Sequence, residues 1–430
     1  GNNVLAAEDR DDNDSLGYSP DGGAALVFDF PYLPNQQPIV WQDAAITNLF
    51  YANNVIHDIT YRYGFDEAAG NFQENNYGRE GEGGDAVLAD AQDGSGTNNA
   101  NFATPPDGQS GRMQMYVWTV DRSDSITVLS PAGIAGKYSA PGAAFGPSVT
   151  TTITGELVLV NDDTAPASDG CNTILNGAEL IGKIALVDRG NCNFTVKVKA
   201  AQDQGAIAVI VCNNTGGAPA AMSGDDPSIT IPSAMISLAD CQIIKTALAA
   251  GPVSLSFTPS EGDADHDSDV DNGIIAHEYG HGISNRLTGG PSNTECLNNE
   301  EQMGEGWSDG YALMTTINPS DNRFTRRPMG TYSLDEPVDG DGIRRQVYST
   351  DLSVYTFTYA DLPGTQGAVH AVGEIWAAML WGLSWDLIDQ YGYDPDMLSG
   401  TGGNNIALHL VTEGMKLQAC SPGFADGRDA

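Results

Sequence analysis

Apolar residues recur every three or four positions between Trp41 and Tyr63. Ile46, Leu49, Phe50, Ile56 and Ile59, with Asn53 in the same register, predict a helix with one buried face. Val372, Ile375, Trp376, Met379, Leu380 and Leu383 predict a second long helix over 369–387. Two shorter patterns flank it upstream. Ile274-Ile275-Ala276 leads into His277-Glu278-Tyr279-Gly280-His281, and Trp307, Ala312, Leu313 and Met314 predict a buried helix that starts near Glu305. Residues 113–118 alternate as a strand does. Residues 1–24 are polar, acidic and Gly-rich and read as a surface arm, 64–110 as loops with short strands, and 321–362 as strand and loop.

The pattern changes after Thr119. Residues 121–262 carry short Val/Ile strands and few aromatics. Within them, 182–194 reads as strand, turn and helix; Ala200-Ala201 through Gly205 ends the helix, and a buried strand runs to Val211. A chain of 430 residues calls for two or three packed units, and 40% apolar content gives them cores. The balance of 19 basic against 57 acidic residues, net −38, argues against binding nucleic acid or an anionic membrane surface. It fits an extracellular protein. No apolar run approaches the roughly 18 residues of a membrane span, and no signal peptide is present, so Gly1 is read as following processing or truncation. Six cysteines without C-x-x-C spacing suit a secreted disulfide protein. Pairing by position gives Cys171–Cys192, Cys212–Cys241 and Cys296–Cys420, out of about 15 connectivities that six cysteines allow. Asn193-Phe194-Thr195 and Asn213-Asn214-Thr215 are glycosylation sequons.

His277 and His281 are four apart, so on a helix both imidazoles reach one metal ion. Glu278 projects beside that ion, where a bound water sits. Two histidines and one carboxylate with an open fourth position are the ligand set of catalytic zinc, which lowers the pKa of its water to about 7 and leaves the proton for a nearby Glu. Glu295, Glu300, Glu301 and Glu305 are candidates for the third ligand. Glu305 is preferred, because a carboxylate at the start of a buried helix needs a partner. Asp309, four residues on, falls on the same face and can accept the second N–H of a ligand histidine. His57 is read as a packed or capping histidine.

These segments resemble the fungalysin-type zinc metalloendopeptidases, within the thermolysin-like gluzincins. The likeness extends through 92–108, Ser284-Asn285-Arg286-Leu287-Thr288-Gly289-Gly290-Pro291, 303–309 and Ala368-Val369-His370-Ala371-Val372-Gly373, covering most of 25–120 and 265–430. Gly280 departs from the Thr usual there and leaves local helix stability open. The resemblance implies an α+β, two-lobed peptidase: a β-rich N-terminal lobe over 1–120 and a zinc helix with a helical C-terminal lobe over 263–430. It also implies one catalytic zinc, protein or peptide substrates, an inhibitory propeptide before maturation, secretion and a monomer. His370 takes the place of the family's oxyanion donor, Tyr359 that of a second donor, and Arg344 that of the arginine holding a substrate carbonyl. Asn99 and Ala100 take the place of an edge strand that pairs with extended substrate. Ile274 faces the pocket for the residue after the cut, with a bulky apolar preference. Cys296–Cys420 resembles the family's bridge to the C-terminus, and the family continues into one more helix beyond residue 430.

Residues 150–258, with Arg189-Gly190-Asn191-Cys192-Asn193-Phe194 after a strand, resemble a protease-associated domain. Because the family's strand at 113–118 leads almost directly to its zinc helix, 121–262 reads as an insertion. Asp263, Asp265, Asp267, Asp269 and Asp271 stand on alternate residues just before that helix. They read as a calcium site or as a solvated acidic linker, with His266 exposed among them. Two other functions compete with the endopeptidase: an aminopeptidase, and an inactive metal-containing adhesion protein. The intact Glu278 argues against the second.

Overall fold

The computed structural model describes residues 1–119, 125–147, 149, 151–162, 164–217, 219, 221–224, 226–257, 264–365 and 367–430. The chain divides into two compact units, one of Gly1–Val120 with Ala264–Ala430 and one of Asp121–Asp263. Both junctions lie outside the described residues.

The first unit opens with β1 (Val4–Glu8), α1 (Gln42–Arg62), β2 (Val87–Ala91), β3 (Ala100–Ala103), β4 (Arg112–Met115) and β5 (Val117–Trp118). Sheet order is β1-β2-β4-β3, with β1, β2 and β4 parallel and β3 antiparallel at the edge. The expected N-terminal arm is therefore a strand: Val4 is fully buried and Ala6 nearly so, and pairing with β2 satisfies their backbone. On α1, Ile46, Leu49, Asn53, Ile56 and Ile59 are buried, but Phe50 faces solvent. The expected strand over 113–118 is broken at Tyr116 into β4 and β5.

The second unit contains β6 (Ser125–Ser130), β7 (Gly136–Ser139), β8 (Ile153–Leu159), α2 (Gly177–Leu180), β9 (Ile184–Asp188), α3 (Phe194–Asp203), β10 (Ala208–Cys212), β11 (Ser233–Ile236), α4 (Leu238–Ala250) and β12 (Ser254–Phe257). They build one sheet ordered β11-β10-β9-β8-β12-β6-β7, parallel from β11 to β8 and antiparallel beyond. Alternation splits the core in two. Ile184, Leu186, Ala208 and Ile210 pack with Cys241 and Ile244 of α4, while Ala185, Val187, Val209 and Val211 pack with Val198 and Ala201 of α3. Burial on both faces explains why these strands read as continuous apolar runs. Cys171–Cys192 and Cys212–Cys241 are both bridged here. Of the two sequons, Asn193 is exposed, whereas Asn213 is buried and accepts from Arg189 Nη1 at 2.8 Å, which removes it as an acceptor for glycan in the folded chain.

The first unit resumes with β13 (His266–Asp267), which pairs antiparallel with β5, and α5 (Asn272–Leu287), α6 (Gly304–Thr315), α7 (Val369–Tyr391), α8 (Gly403–Leu417) and α9 (Phe424–Asp429). Among the described residues, 321–362 holds only an isolated bridge, Arg327 with Tyr348, in place of the expected strands. On α7, Val372, Ile375, Trp376 and Leu380 are buried, while Met379 and Leu383 are exposed and do not extend the inner face. Cys296–Cys420 ties the segment after α5 to the one before α9.

Two close helix crossings set the site. A Cβ on Gly280 would stand 2.7 Å from Ser308 Cα, so a glycine is needed for α5 and α6 to approach this closely. This explains the departure from Thr. Gly306 and Gly373 do the same for α6 and α7: a Cβ on Gly373 would stand 2.5 Å from Glu305 Cβ. Fully buried Arg286 fixes the far end of α5. Its Nη1 donates to Asp85 Oδ2 at 2.6 Å and Gly70 O at 2.8 Å, Nη2 to Gln109 O at 2.8 Å, and its guanidinium lies 4.1 Å from the Phe72 ring centre.

Candidate functional site

Asp271 caps α5 by accepting from Ile274 N at 3.2 Å, and the helix is buried almost all round. A helix with no solvated face is expected at the centre of a domain, and its polar side chains need partners there. His277 and His281 find them on α6. Nε2 of His277 lies 3.1 Å from Glu305 Oε2, Nε2 of His281 lies 3.6 Å from the same oxygen, and the two nitrogens are 3.2 Å apart. Tetrahedral zinc with bonds of about 2.0–2.1 Å spaces its ligand atoms about 3.3–3.4 Å apart. The triangle fits that ion.

Asp309 lies one helical turn beyond Glu305 and is 1% exposed. Its Oδ1 accepts from His277 Nδ1 at 2.7 Å, which fixes the tautomer and turns Nε2 toward the triangle. Arg344 donates to Asp309 through Nε at 2.7 Å and Nη2 at 2.8 Å, and Tyr348 through its hydroxyl at 2.5 Å. Burial opposes the charge on Asp309, but Arg344 and His277 hold its carboxyl well below the usual range. Burial likewise opposes ionised Glu305, and His277 and His281 outweigh it, bringing the group down to about 2. Burial and the charge on His277 push His281 down to about 4. Two imidazoles and a carboxylate converge closely enough here to hold one metal ion. Burial raises Glu278 to about 7, within reach of a proton-transfer role near neutral pH, and its Oε2 has no hydrogen-bond partner among the described residues.

His277, Glu278, His281 and Glu305 line one cleft of about 340 Å³, which also takes in Asn99, Ala100, Ile274, Arg344 and His370. His370 sits in the first turn of α7, with Nε2 3.4 Å from Glu305 Oε2 and more than half its side chain exposed. Asn99 and Ala100 stand at the start of β3, the edge strand. Arg344 is in the cleft, but its guanidinium is committed to Asp309, so holding substrate is at most a second duty. Tyr359 is not among the cleft residues. It opens a short 3-10 turn, Tyr359–Gly364, and packs on Phe424 with ring centres 5.7 Å apart. Sequence reading missed Phe102, Trp118, Asn285, Met329 and Ile343 on the cleft wall and Tyr348 behind it. Asn285, one turn after His281 on α5, and Phe102 on β3 lie within segments already noted for their resemblance, whereas Trp118, Met329, Ile343 and Tyr348 come from separate loops or strands that carry no motif.

Most of the acidic run is engaged by the chain's own donors. Asp263 lies outside the described residues. Asp267 accepts from Gln92 Nε2 at 2.6 Å and from Asp269 N at 3.0 Å, Asp269 accepts from Gln92 N at 3.0 Å, and Asp271 serves the α5 cap and Ser333. Among the described residues, no metal-sized cluster includes Asp265, Asp267, Asp269 or Asp271. Burial raises Asp267, Asp269 and Asp271 above the usual aspartate range. His266 is packed rather than exposed, with its ring 4.8 Å from that of Tyr332 and Nδ1 bonded to the Tyr332 carbonyl. His57 is buried against Asn71 and Gln73, as a packed histidine is.

A family model described as fungalysin metallopeptidase (M36) matches residues 1–430. The chain is 32% identical over 444 residues to "Extracellular metalloproteinase 2" of Trichophyton tonsurans, an alignment that takes in 100% of this chain and 46% of that protein. "Probable extracellular metalloproteinase 4" of Arthroderma benhamiae is 32% identical over 443 residues, with the same 100% and 46% covered. The chain thus spans about half the length of the curated relatives it matches. Among solved structures, a zinc aminopeptidase from Bacillus subtilis is 21% identical over 37% of this chain and 32% of that one, with a TM-score of 0.24, too slight a likeness to bear on fold or activity.

Proposed function

This chain belongs to the fungalysin (M36) metallopeptidase family, and from that premise we propose that it is a secreted zinc metalloendopeptidase acting on proteins and peptides. The observation that carries the reading is the ligand triangle at 3.1, 3.2 and 3.6 Å with Glu278 beside it. His277, His281 and Glu305 hold one zinc, and Asp309 orients His277. When bound, the ion supplies Lewis acidity to the scissile carbonyl and an acidified water. An extended peptide adds to the edge of β3 at Asn99 and Ala100, so main-chain bonds give affinity and side-chain pockets give selectivity. Ile274 lines the wall for a bulky apolar side chain. Glu278 removes a proton from the attacking water at its carboxylate oxygen and returns it to the leaving amine nitrogen. The imidazole N–H of His370 donates to the carbonyl oxygen as negative charge develops on it.

In the same reading, 1–120 and 263–430 are the two lobes of a monomeric peptidase that an inhibitory propeptide precedes before maturation. Residues 121–262 are a protease-associated domain inserted between them, supported by that segment's own sheet, cores and two disulfides. The test pairs zinc content with two peptides, one blocked at its N-terminus and one free. One zinc per chain and chelator-sensitive cleavage inside the blocked peptide are expected. A chain without zinc, or one that trims only the free peptide, would overturn the reading.

A further inference from the structure

We infer that Tyr348 is a positioning residue of the metal centre: it anchors Asp309, and through it His277, independently of Arg344. The inference rests on the zinc reading of His277, His281 and Glu305.

Asp309 accepts four hydrogen bonds. Two fall on Oδ1, from His277 Nδ1 at 2.7 Å and Arg344 Nη2 at 2.8 Å, and two on Oδ2, from Arg344 Nε at 2.7 Å and the Tyr348 hydroxyl at 2.5 Å. The two outer anchors differ in what else they face. Arg344 lines the cleft, and its Nη2 also lies 3.3 Å from His277 Nδ1, so a peptide carbonyl arriving there competes with Asp309 for the same guanidinium. Tyr348 is fully buried and lies outside the cleft lining. Its ring stacks on Tyr355 at 5.7 Å with 18° between planes, and among the described residues its hydroxyl bonds to Asp309 alone. Substrate cannot draw that hydroxyl away.

The backbone makes the same point. Tyr348 forms an isolated bridge with Arg327, with N–O distances of 2.9 and 3.2 Å. Arg327 in turn donates through Nη2 to Thr316 O at 3.0 Å and Thr316 Oγ1 at 2.7 Å. Thr316 is the C-cap of α6, the helix that carries Glu305 and Asp309. Tyr348 is thus held to the same rigid element as the carboxylate it touches, whereas Arg344 is shared with the cleft. An outer anchor that substrate cannot displace keeps the imidazole of His277 aimed while Arg344 is engaged.

The experiment uses the full chain loaded with zinc and follows transfer of the ion to excess chelator well below the melting temperature. Tyr348→Phe keeps the ring and its stack and removes only the hydroxyl. It should release zinc about tenfold faster than the unaltered chain, the lower end of what losing an outer-shell partner costs, with KM for a short peptide unchanged. Tyr355→Phe, in the same stack with a hydroxyl that has no hydrogen-bond partner among the described residues, should match the unaltered chain. Equal release rates for the two variants would overturn the inference. A second variant covers the case in which Tyr348→Phe does not fold. Arg344→Met should release zinc far more slowly than Asp309→Ala, because Tyr348 still holds the carboxylate, and release as fast as Asp309→Ala would remove Tyr348 from this role. An unaltered chain that binds no zinc would defeat the zinc reading itself, a result distinct from equal rates in zinc-loaded variants.

Discussion

At the scale of single residues, the proposed reading gives ligation to His277, His281 and Glu305 and proton transfer to Glu278. Glu278→Gln should then retain one zinc per chain and lose roughly 10²–10⁴-fold in kcat, the range general-base catalysis contributes. Zinc analysis beside a peptide assay checks it; loss of the metal would make Glu278 structural. His370→Ala should lower kcat by roughly 10²–10³-fold and change KM little, because an oxyanion contact is made in the transition state. The buried pair Asp267 and Asp269 makes a different prediction. Burial raises both, and Asp267 raises Asp269 further. The folded chain therefore keeps protons that an unfolded aspartate loses near pH 4. The stability they contribute is fully present below that pH and is lost as pH rises through the raised values. Asp269→Asn removes this titration and should gain on the unaltered chain between pH 4 and pH 8, by about 2–4 °C in Tm at neutral pH. A Tm that falls at pH 8 and is restored by calcium would return the run to a cation site.

At the scale of elements, the metal centre is an outcome of helix spacing. Glu305 reaches His277 and His281 because Gly280 lets α5 lie against Ser308, and it reaches His370 because Gly306 and Gly373 let α6 meet α7. Gly280→Ala sets helix propensity against packing. Alanine is better than glycine in a helix by about 1 kcal/mol, but the new Cβ meets backbone at 2.7 Å, and overpacking typically costs about 1–3 kcal/mol. The variant should be less stable by up to about 2 kcal/mol in urea unfolding and should hold zinc more weakly, since Ser308 adjoins Asp309. A gain in stability would mean that the crossing yields easily.

At the scale of the molecule, the first unit is interrupted between β5 and β13, and those strands pair, His266 with Trp118 and Asp267 with Val117. The chain therefore leaves and rejoins this unit at neighbouring points. Joining Thr119 to Ala264 through a short Gly/Ser linker should give a folded chain with its zinc and its kcat/KM on a short peptide within a few-fold, because no disulfide crosses the cut and every cleft residue remains. A soluble product lacking zinc would show that 121–262 shapes the site. Among the described residues, no helix is long and apolar enough to cross a membrane.

The sequence by itself determined what depends on local geometry. His277 and His281 at i and i+4, and Asp309 one turn from Glu305, are set by the helical repeat, so their shared faces were legible before any fold. The buried apolar strands of the second unit were legible from pattern, and the bridges follow the pairing by position, although even parity by itself left about 15 connectivities open. Tertiary structure alone decided the rest. Glu305 became a neighbour of the histidines, rather than Glu295, Glu300 or Glu301, through glycine-mediated contact between helices far apart in sequence. Tyr359 was turned to Phe424 and Tyr348 to Asp309 by loops without periodicity. Of the alternate aspartates, Asp267 and Asp269 were bonded to Gln92, and Asp271 to a helix cap and Ser333. Periodicity fixes which side chains share a face; which faces meet is decided by close packing between distant segments, and one chain's local pattern does not encode that.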